Sequence, residues 1–299
     1  MIAPATSVAQ APCALWHRGQ RPMEGNAPGR VAPALVDAAR RYLAPFVRVA
    51  FRARLLGLEH LPTTGPFLLV ANHSAGLGLA ELTSFAALYL ERFGGDRPLA
   101  GFAHPIDFRA AAVARVFRAM GAVPATYEGA AEAMEAGVPL LVFPGGDHET
   151  MRPVWQAGRV DFGGRKGFLK IARRFHVPVV PLGIRGSHYT APVLWRSRVL
   201  PWALVGPRLA GLKRWPLTAL GAMGAAAIAT APWPWWARVA AAWVWLGSPL
   251  TMLPWVPWRI EMEVGVPIAP EVLFRAEDES LDGALAVVQG AVQRIVDGG

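Results

Sequence analysis

The chain has 299 residues, 53% hydrophobic and 17% charged, which gives one sizeable domain with appendages, or at most two small domains, and excludes disorder for the bulk of it. Its formal charge of +9 is unevenly placed: the 99 residues from Phe162 to Ile260 hold 13 Arg and Lys and no Asp or Glu, while the remainder holds 17 basic and 21 acidic residues. A single cysteine, Cys13, excludes an intrachain disulfide framework and a multi-cysteine zinc site, and no metal is expected.

Residues 1–30 are a loose mixture of Ala, Pro, Gly and Gln with no basic leader ahead of a continuous apolar core, and read as a disordered tail rather than a signal peptide. Residues 31–58 are assigned to an amphipathic helix in which Arg40, Arg41, Arg48, Arg52 and Arg54 alternate with apolar residues, kinked at Pro45. Such a helix suits an anionic membrane surface, and equally the solvated outer face of an ordinary domain.

Residues 59–299 are assigned to one domain. Between Pro66 and Pro181 short apolar runs (Phe67–Ala71, Leu99–Ala103, Leu140–Phe143, Val177–Leu182) alternate with helical patterns at 79–93, 108–120, 127–137 and 165–175. This is α/β order, a mixed sheet flanked by helices. In such sheets ligands gather beyond the carboxyl ends of the strands.

Past Arg198 the alternation stops, and 199–257 reads as an apolar, Trp-rich, membrane-associating insertion. Ten of the twelve tryptophans lie between Trp195 and Trp258, in the acid-free segment, which suits a membrane interface and not a nucleic-acid groove. Uncharged runs of 23 and 20 residues flank Arg238. Prolines cut them to clean helices at Leu217–Ala231 and Trp236–Gly247, each reaching only part of a hydrocarbon core of about 30 Å. A shallow or re-entrant hairpin with Trp233, Trp235 and Trp236 near its tip is preferred over two spans, with a buried soluble hairpin as the alternative. Arg259–Pro267 alternates like a half-exposed strand returning to the sheet edge, and the last 20 residues form a terminal helix.

Two polar turns follow predicted strands. One begins Asn72-His73-Ser-Ala-Gly-Leu-Gly and reaches Glu81; the other is Phe-Pro-Gly-Gly-Asp-His-Glu, residues 143–149. With Gly121-Ala-Val-Pro-Ala-Thr-Tyr, Asp161-Phe-Gly-Gly-Arg-Lys-Gly-Phe168 and Val177-Pro-Val-Val-Pro181, they resemble, in order, the sequence blocks of the glycerolipid acyltransferase superfamily. That superfamily includes the 1-acylglycerol-3-phosphate acyltransferases, and the likeness here is to its bacterial Phe-Pro-Gly-Gly variety. The resemblance covers about 50–200 and 258–270.

It implies a membrane-associated enzyme of lipid metabolism and phospholipid biosynthesis, on the cytoplasmic face of a cell membrane. The enzyme would move an acyl group from acyl-CoA or acyl carrier protein to a hydroxyl of a lipid acceptor, with no cofactor beyond that co-substrate. His73 would be the general base and an acid would fix its tautomer. The superfamily's acid stands five residues after the histidine, where this chain has Gly78, and the first carboxylate is Glu81, eight residues on. A continuous helix would separate the two by about 12 Å along its axis, so contact requires a non-helical loop ahead of Glu81. Asp147 and Glu149 are the alternatives.

The third block has Gly145 where lysophosphatidate-acylating members have Glu, and Thr126 and Tyr127 stand near the phosphate-holding arginine of the second. Asn72, Gly145, Gly146, Asp147 and Glu149 are assigned to substrate binding, the two glycine amides to the oxyanion. Arg165 and Lys166, at a helix start, are assigned to an acceptor phosphate, or to surface lipid phosphate or helix capping. The rival reading is a non-catalytic lipid-binding protein on the same scaffold.

Overall fold

The computed structural model describes residues 27–74, 76–103, 105–209, 211–274 and 280–298. Cys13 and residues 1–26 of the expected tail lie outside the described residues. The end of that tail is tied down: Gly29 N–H donates to Gly121 O (3.0 Å) and Ala32 N–H to Ala119 O (2.8 Å).

Among the described residues nine strands follow in chain order: β1 (Arg54–Leu56), β2 (Leu68–Ala71), β3 (Ala100–Ala103), β4 (Ala122–Pro124), β5 (Leu140–Val142), β6 (Val179–Arg185), β7 (Val193–Ser197), β8 (Trp215–Thr218) and β9 (Glu261–Val264). Seven form one sheet in the order β1-β9-β6-β2-β5-β3-β4, and β7 and β8 pair as a separate antiparallel ribbon. Strands β2 to β6 are mutually parallel, whereas β9 runs antiparallel to β6 and carries β1 parallel to itself. The sheet is therefore mixed, with a parallel centre.

Parallel strands buried on both faces need apolar residues at every position, and Leu68, Leu69, Val70 and Ala71 are all buried. Leu68 and Val70 face a cluster completed by Ala130, Met134, Phe168, Leu169, Val288 and Val292 from helices Tyr127–Glu135, Gly167–Phe175 and Asp282–Asp297. Leu69 and Ala71 face the opposite cluster, with Ala44, Val47, Phe85 and Leu88. Helices on both faces direct the chain's polar turns to the strand ends.

Two expectations are corrected. The N-terminal helix ends at Ala50 rather than running through 58, because residues 54–56 pair with β9 as an edge strand. It also packs against helix Leu79–Phe93, burying Val36, Ala39, Ala44 and Val47. Pro45 lacks the N–H for its turn, and the chain absorbs this as a π-turn at Ala39–Leu43. Second, β9 has the expected alternation, with Met262 and Val264 buried, yet it is not the sheet edge: β1 covers it.

In the 199–257 segment, β8 leads into helix Ala219–Ala229, and a turn at 230–234 leads into helix Trp235–Gly247, which packs back along it. Indole N–H groups hold this lobe together: Trp245 Nε1 donates to Gly221 O (3.0 Å), Trp215 Nε1 to Leu246 O (2.7 Å) and Trp243 Nε1 to Ala203 O (2.9 Å). Helix Trp235–Gly247 buries no residue, and Gly221 is the one buried residue of helix Ala219–Ala229. Among the described residues no helix is long and apolar enough to cross a membrane.

Candidate active site

The carboxyl ends of β2, β5 and β6 lie side by side, and the turn after each carries polar residues. After β2, Asn72 keeps the strand's register: its Nδ2 donates to Ile184 O (2.9 Å) and its Oδ1 accepts from Ile184 N–H (2.7 Å). Both polar ends of that side chain are spent on β6, so its assignment to substrate is corrected to bracing the turn that presents His73.

The chain then folds back before helix Leu79–Phe93 starts. Gly76 N–H donates to Thr150 O (3.0 Å), and Gly78 takes φ +70° as the residue ahead of the helix. A β-carbon at 78 would lie 2.1 Å from His73 Cε1, so glycine serves there both the left-handed backbone and the close approach of the imidazole. This closes the eight-residue gap. His73 Nδ1 is hydrogen-bonded to Glu81 Oε1, from the first helical turn, and neither the Asp147 nor the Glu149 carboxyl is hydrogen-bonded to the ring.

Glu81 is completely buried, and its two oxygens are fully engaged. Oε1 also accepts Ser74 N–H (2.9 Å), and Oε2 accepts the hydroxyls of Ser74 (2.6 Å) and Ser187 (2.7 Å), the latter from the turn after β6. Hydrogen bonds of this number replace the hydration that burial removes from a carboxylate. The His73 ring packs on Phe143 with centroids 4.5 Å apart, and its side chain is 14% exposed. Among the described residues Nε2 has no partner.

The Phe143–Glu149 turn stands beside this pair. Gly146 has φ +44° and ψ −134°, a conformation open to glycine, and its N–H closes the turn onto Phe143 O (3.2 Å). That removes Gly146 from the expected oxyanion pair; among the described residues the Gly145 N–H has no acceptor. Asp147 is held by Arg165 (2.5 Å) and Arg214 (3.0 Å). Burial alone would raise its pKa, but these two guanidinium groups hold it below the usual carboxylate range.

Arg165 also donates to Gly145 O (2.7 Å), and Lys166 pairs with Asp282 at the start of the terminal helix (2.7 Å). Both expected phosphate ligands are thus committed within the protein. Asp161 accepts from His148 Nε2 (3.0 Å), and Arg196 donates to His148 O (2.7 Å).

Glu149 is buried and contacts His73 through the backbone: Oε2 accepts His73 N–H (3.0 Å) and Oε1 accepts Asp161 N–H (3.0 Å). Burial pushes its pKa up to about 7. Arg152, 1% exposed, lies 3.7 Å from Oε1. His188 is buried and held neutral, its pKa lowered to about 3 by burial and then by the Arg152 charge. Among the described residues no group of three or more His, Cys, Asp or Glu side chains converges as a metal site requires. Sequence reasoning missed Ser74, Ser187, Arg152 and His188. Only Ser187 and His188 carried a local signal, a polar Gly-Ser-His turn at the end of a buried strand.

Residues 52–185 match the family model described as Acyltransferase. An uncharacterized protein of Mycobacterium leprae is 30% identical over 181 residues, covering 60% of this chain and 47% of that protein. Phytyl ester synthase 2, chloroplastic, of Arabidopsis thaliana is 28% identical over 137 residues, covering 44% of this chain and 19% of that one. The chain thus spans about half the length of the mycobacterial relative and about a fifth of the plant one. Among solved structures, the 1-acyl-sn-glycerophosphate (LPA) acyltransferase PlsC of Thermotoga maritima aligns at 18% identity with a TM-score of 0.49, covering 87% of this chain and 79% of that one.

Proposed function

We propose that the protein is a membrane-associated O-acyltransferase that moves a fatty acyl group from an acyl-CoA or acyl carrier protein thioester to a hydroxyl of a glycerolipid-type acceptor. The observation that carries this reading is the buried Glu81 carboxylate bonded to His73 Nδ1, which leaves Nε2 without a partner among the described residues, beside a glycine turn. An alcohol is a poor nucleophile at neutral pH. His73 Nε2, as neutral imidazole, takes its proton while the oxygen attacks the thioester carbonyl. Glu81 fixes the tautomer and stabilises the imidazolium that forms. The Gly145 N–H faces the developing oxyanion. Collapse expels the thiolate, the imidazolium returns the proton to sulfur, and the products are an ester and a free thiol. No residue needs to be acylated, and the mechanism uses none as a nucleophile.

The 199–257 lobe supplies the membrane contact in this reading. Its two helices, of 11 and 13 residues, rise about 17 and 20 Å against a hydrocarbon core of about 30 Å, so they lie in one leaflet. Helices that are apolar all round are stable when every face is covered, and here the two helices cover one face of each other and leave Met223, Trp235, Trp236, Val239, Trp243 and Val244 exposed. Trp233, Trp235 and Trp236 are exposed around the interhelical turn, where amphipathic rings suit the headgroup level. In this reading the enzyme works at the cytoplasmic face of a cell membrane, where thioester donors are made, and the exposed apolar surface supports that reading. The phytyl ester synthases are named for esters of a lipid alcohol, which agrees with a lipid hydroxyl as acceptor.

Replacing His73 by Ala tests the assignment. Transfer of a labelled acyl group from acyl-CoA to lipid should fall by about 10²–10⁴-fold with unchanged vesicle binding; retained turnover sinks it.

A further inference from the structure

The Glu149 side chain lies where another residue's side chain belongs. A β-carbon built on Gly145 would stand 2.1 Å from Glu149 Oε2, 2.2 Å from its Cγ and 2.3 Å from its Cδ. The carboxyl group therefore fills the first part of the volume into which any side chain at 145 would project. Gly145 has no left-handed φ, so its backbone would accept a side chain if that volume were free. From this position the carboxylate bridges segments far apart in sequence. Oε2 accepts the His73 N–H and Oε1 the Asp161 N–H, each at 3.0 Å, while the group rests on the Gly145 backbone.

The bonded amide is that of His73 itself, so the carboxylate fixes the backbone from which the imidazole projects. Glu149 is fully buried, with the guanidinium of Arg152 at 3.7 Å as its buried counter-charge. A carboxylate taken out of water to bond two amides is a costly arrangement for a purely structural strut, and a carboxamide could serve only one of the two N–H groups with its single carbonyl oxygen.

We propose that Glu149 is a positioning residue for acyl transfer, whose carboxylate locks the His73 backbone to the Gly145 turn, and that the same function can be supplied by a carboxylate placed at position 145. The inference rests on His73 as the general base. Its chemical content is that the site needs one carboxylate in this volume and is indifferent to which of the two backbone positions carries it. Gly145 and Glu149 then form one spatial unit.

The test uses the full chain and four variants: Glu149→Ala, Glu149→Gln, Gly145→Glu, and Gly145→Glu combined with Glu149→Ala. Thiol release from acyl-CoA with a lipid hydroxyl acceptor is measured alongside hydrogen exchange at the His73 and Asp161 amides. For Glu149→Ala, kcat should fall about 100-fold with the donor KM nearly unchanged, since a shift of about 1 Å in the base carries that cost. Both amides should exchange at least about tenfold faster. Glu149→Gln should protect one amide and fall between Ala and wild type. Gly145→Glu alone, with two carboxyl groups in one volume, should be impaired.

The double variant should recover both amide protection and kcat to within about tenfold of wild type, because the carboxylate is back in the same place. Should Glu149→Ala unfold because Arg152 loses its counter-charge, the double variant still decides. An unfolded double variant, or one no more active and no more protected than Glu149→Ala, overturns the proposal, as does an unimpaired Glu149→Ala. Amide exchange reads the placement even if the wild-type chain releases no thiol, a result that would defeat the acyl-transfer reading instead.

Discussion

The layer at the strand ends and the 199–257 lobe handle burial in opposite ways. At the strand ends the most buried side chains include ionisable ones, Glu81, Glu149 and Arg152, and every oxygen of the two carboxyl groups accepts at least one hydrogen bond. In the lobe many large apolar side chains are exposed, among them Trp202, Leu209, Trp235, Trp236, Val239 and Val244. A buried network of fixed donors stabilises charge that develops during a reaction without reorganising. An exposed apolar surface of this extent gains free energy only when something apolar covers it. The proposed function assigns chemistry to the first region and membrane contact to the second, and each can be disturbed separately.

The largest effect is expected at Glu81. Glu81→Gln keeps the shape but removes the charge that stabilises the imidazolium, and transfer should fall by about 10²–10⁴-fold with vesicle binding intact. A near-normal rate in the same assay would remove Glu81 from the mechanism. On the other side, Trp233, Trp235 and Trp236 changed together to Ala should weaken binding to anionic phospholipid vesicles by about 10–100-fold, from lost apolar burial alone. Sedimentation with vesicles measures this; unchanged binding would place the membrane contact elsewhere. Ser187→Ala removes one of two hydroxyls from Glu81 Oε2 and should cost about tenfold in kcat, the worth of one hydrogen bond to a charged group.

The smallest effect is a balance. Glu149 has its folded pKa raised from 4.5 to about 7, so the folded state gains a proton first and acidification from pH 7 to 4.5 is stabilising by about 3 kcal/mol. His188 has its folded pKa lowered from 6.5 to about 3, so the unfolded state takes the proton first, and acidification below 6.5 is destabilising by a similar amount at pH 4.5. The two nearly cancel down to pH 4.5, and below that only the His188 loss continues. Thermal melts should be flat between pH 7 and 4.5 in the wild type, whereas His188→Asn should rise in Tm over that interval. A flat variant profile would contradict the pairing.

The parts of the fold that sequence reading reached are those with a local signature. Strands β2, β3, β5 and β6 are short apolar runs, and helix Leu79–Phe93 has the bounds its periodicity gives. The three-residue β1 was hidden because Arg54, Leu55 and Leu56 continue the helical alternation before them, and only pairing with β9, 207 residues away, makes them a strand. At the site, the glycines at 76 and 78 mark a loop able to fold back and so keep Glu81 within reach of His73, but the choice of Glu81 over Asp147 and Glu149 comes from the structure. The charge map misled for a related reason. The segment from 162 to 260 has no acid of its own, yet Arg165 and Arg214 find Asp147, Lys166 finds Asp282, and Arg185 finds Glu261. Linear charge does not report which cations remain available to a ligand.

The division between the two regions is tested most directly by a crossed measurement of acyl transfer from acyl-CoA. One acceptor is a water-soluble short-chain alcohol lipid and the other a lipid hydroxyl embedded in anionic vesicles. His73→Ala should abolish transfer to both, whereas the triple change at Trp233, Trp235 and Trp236 should leave transfer to the soluble acceptor near wild type and depress transfer to the vesicle acceptor alone. Transfer by His73→Ala, or an equal loss on both acceptors in the tryptophan variant, would contradict the account.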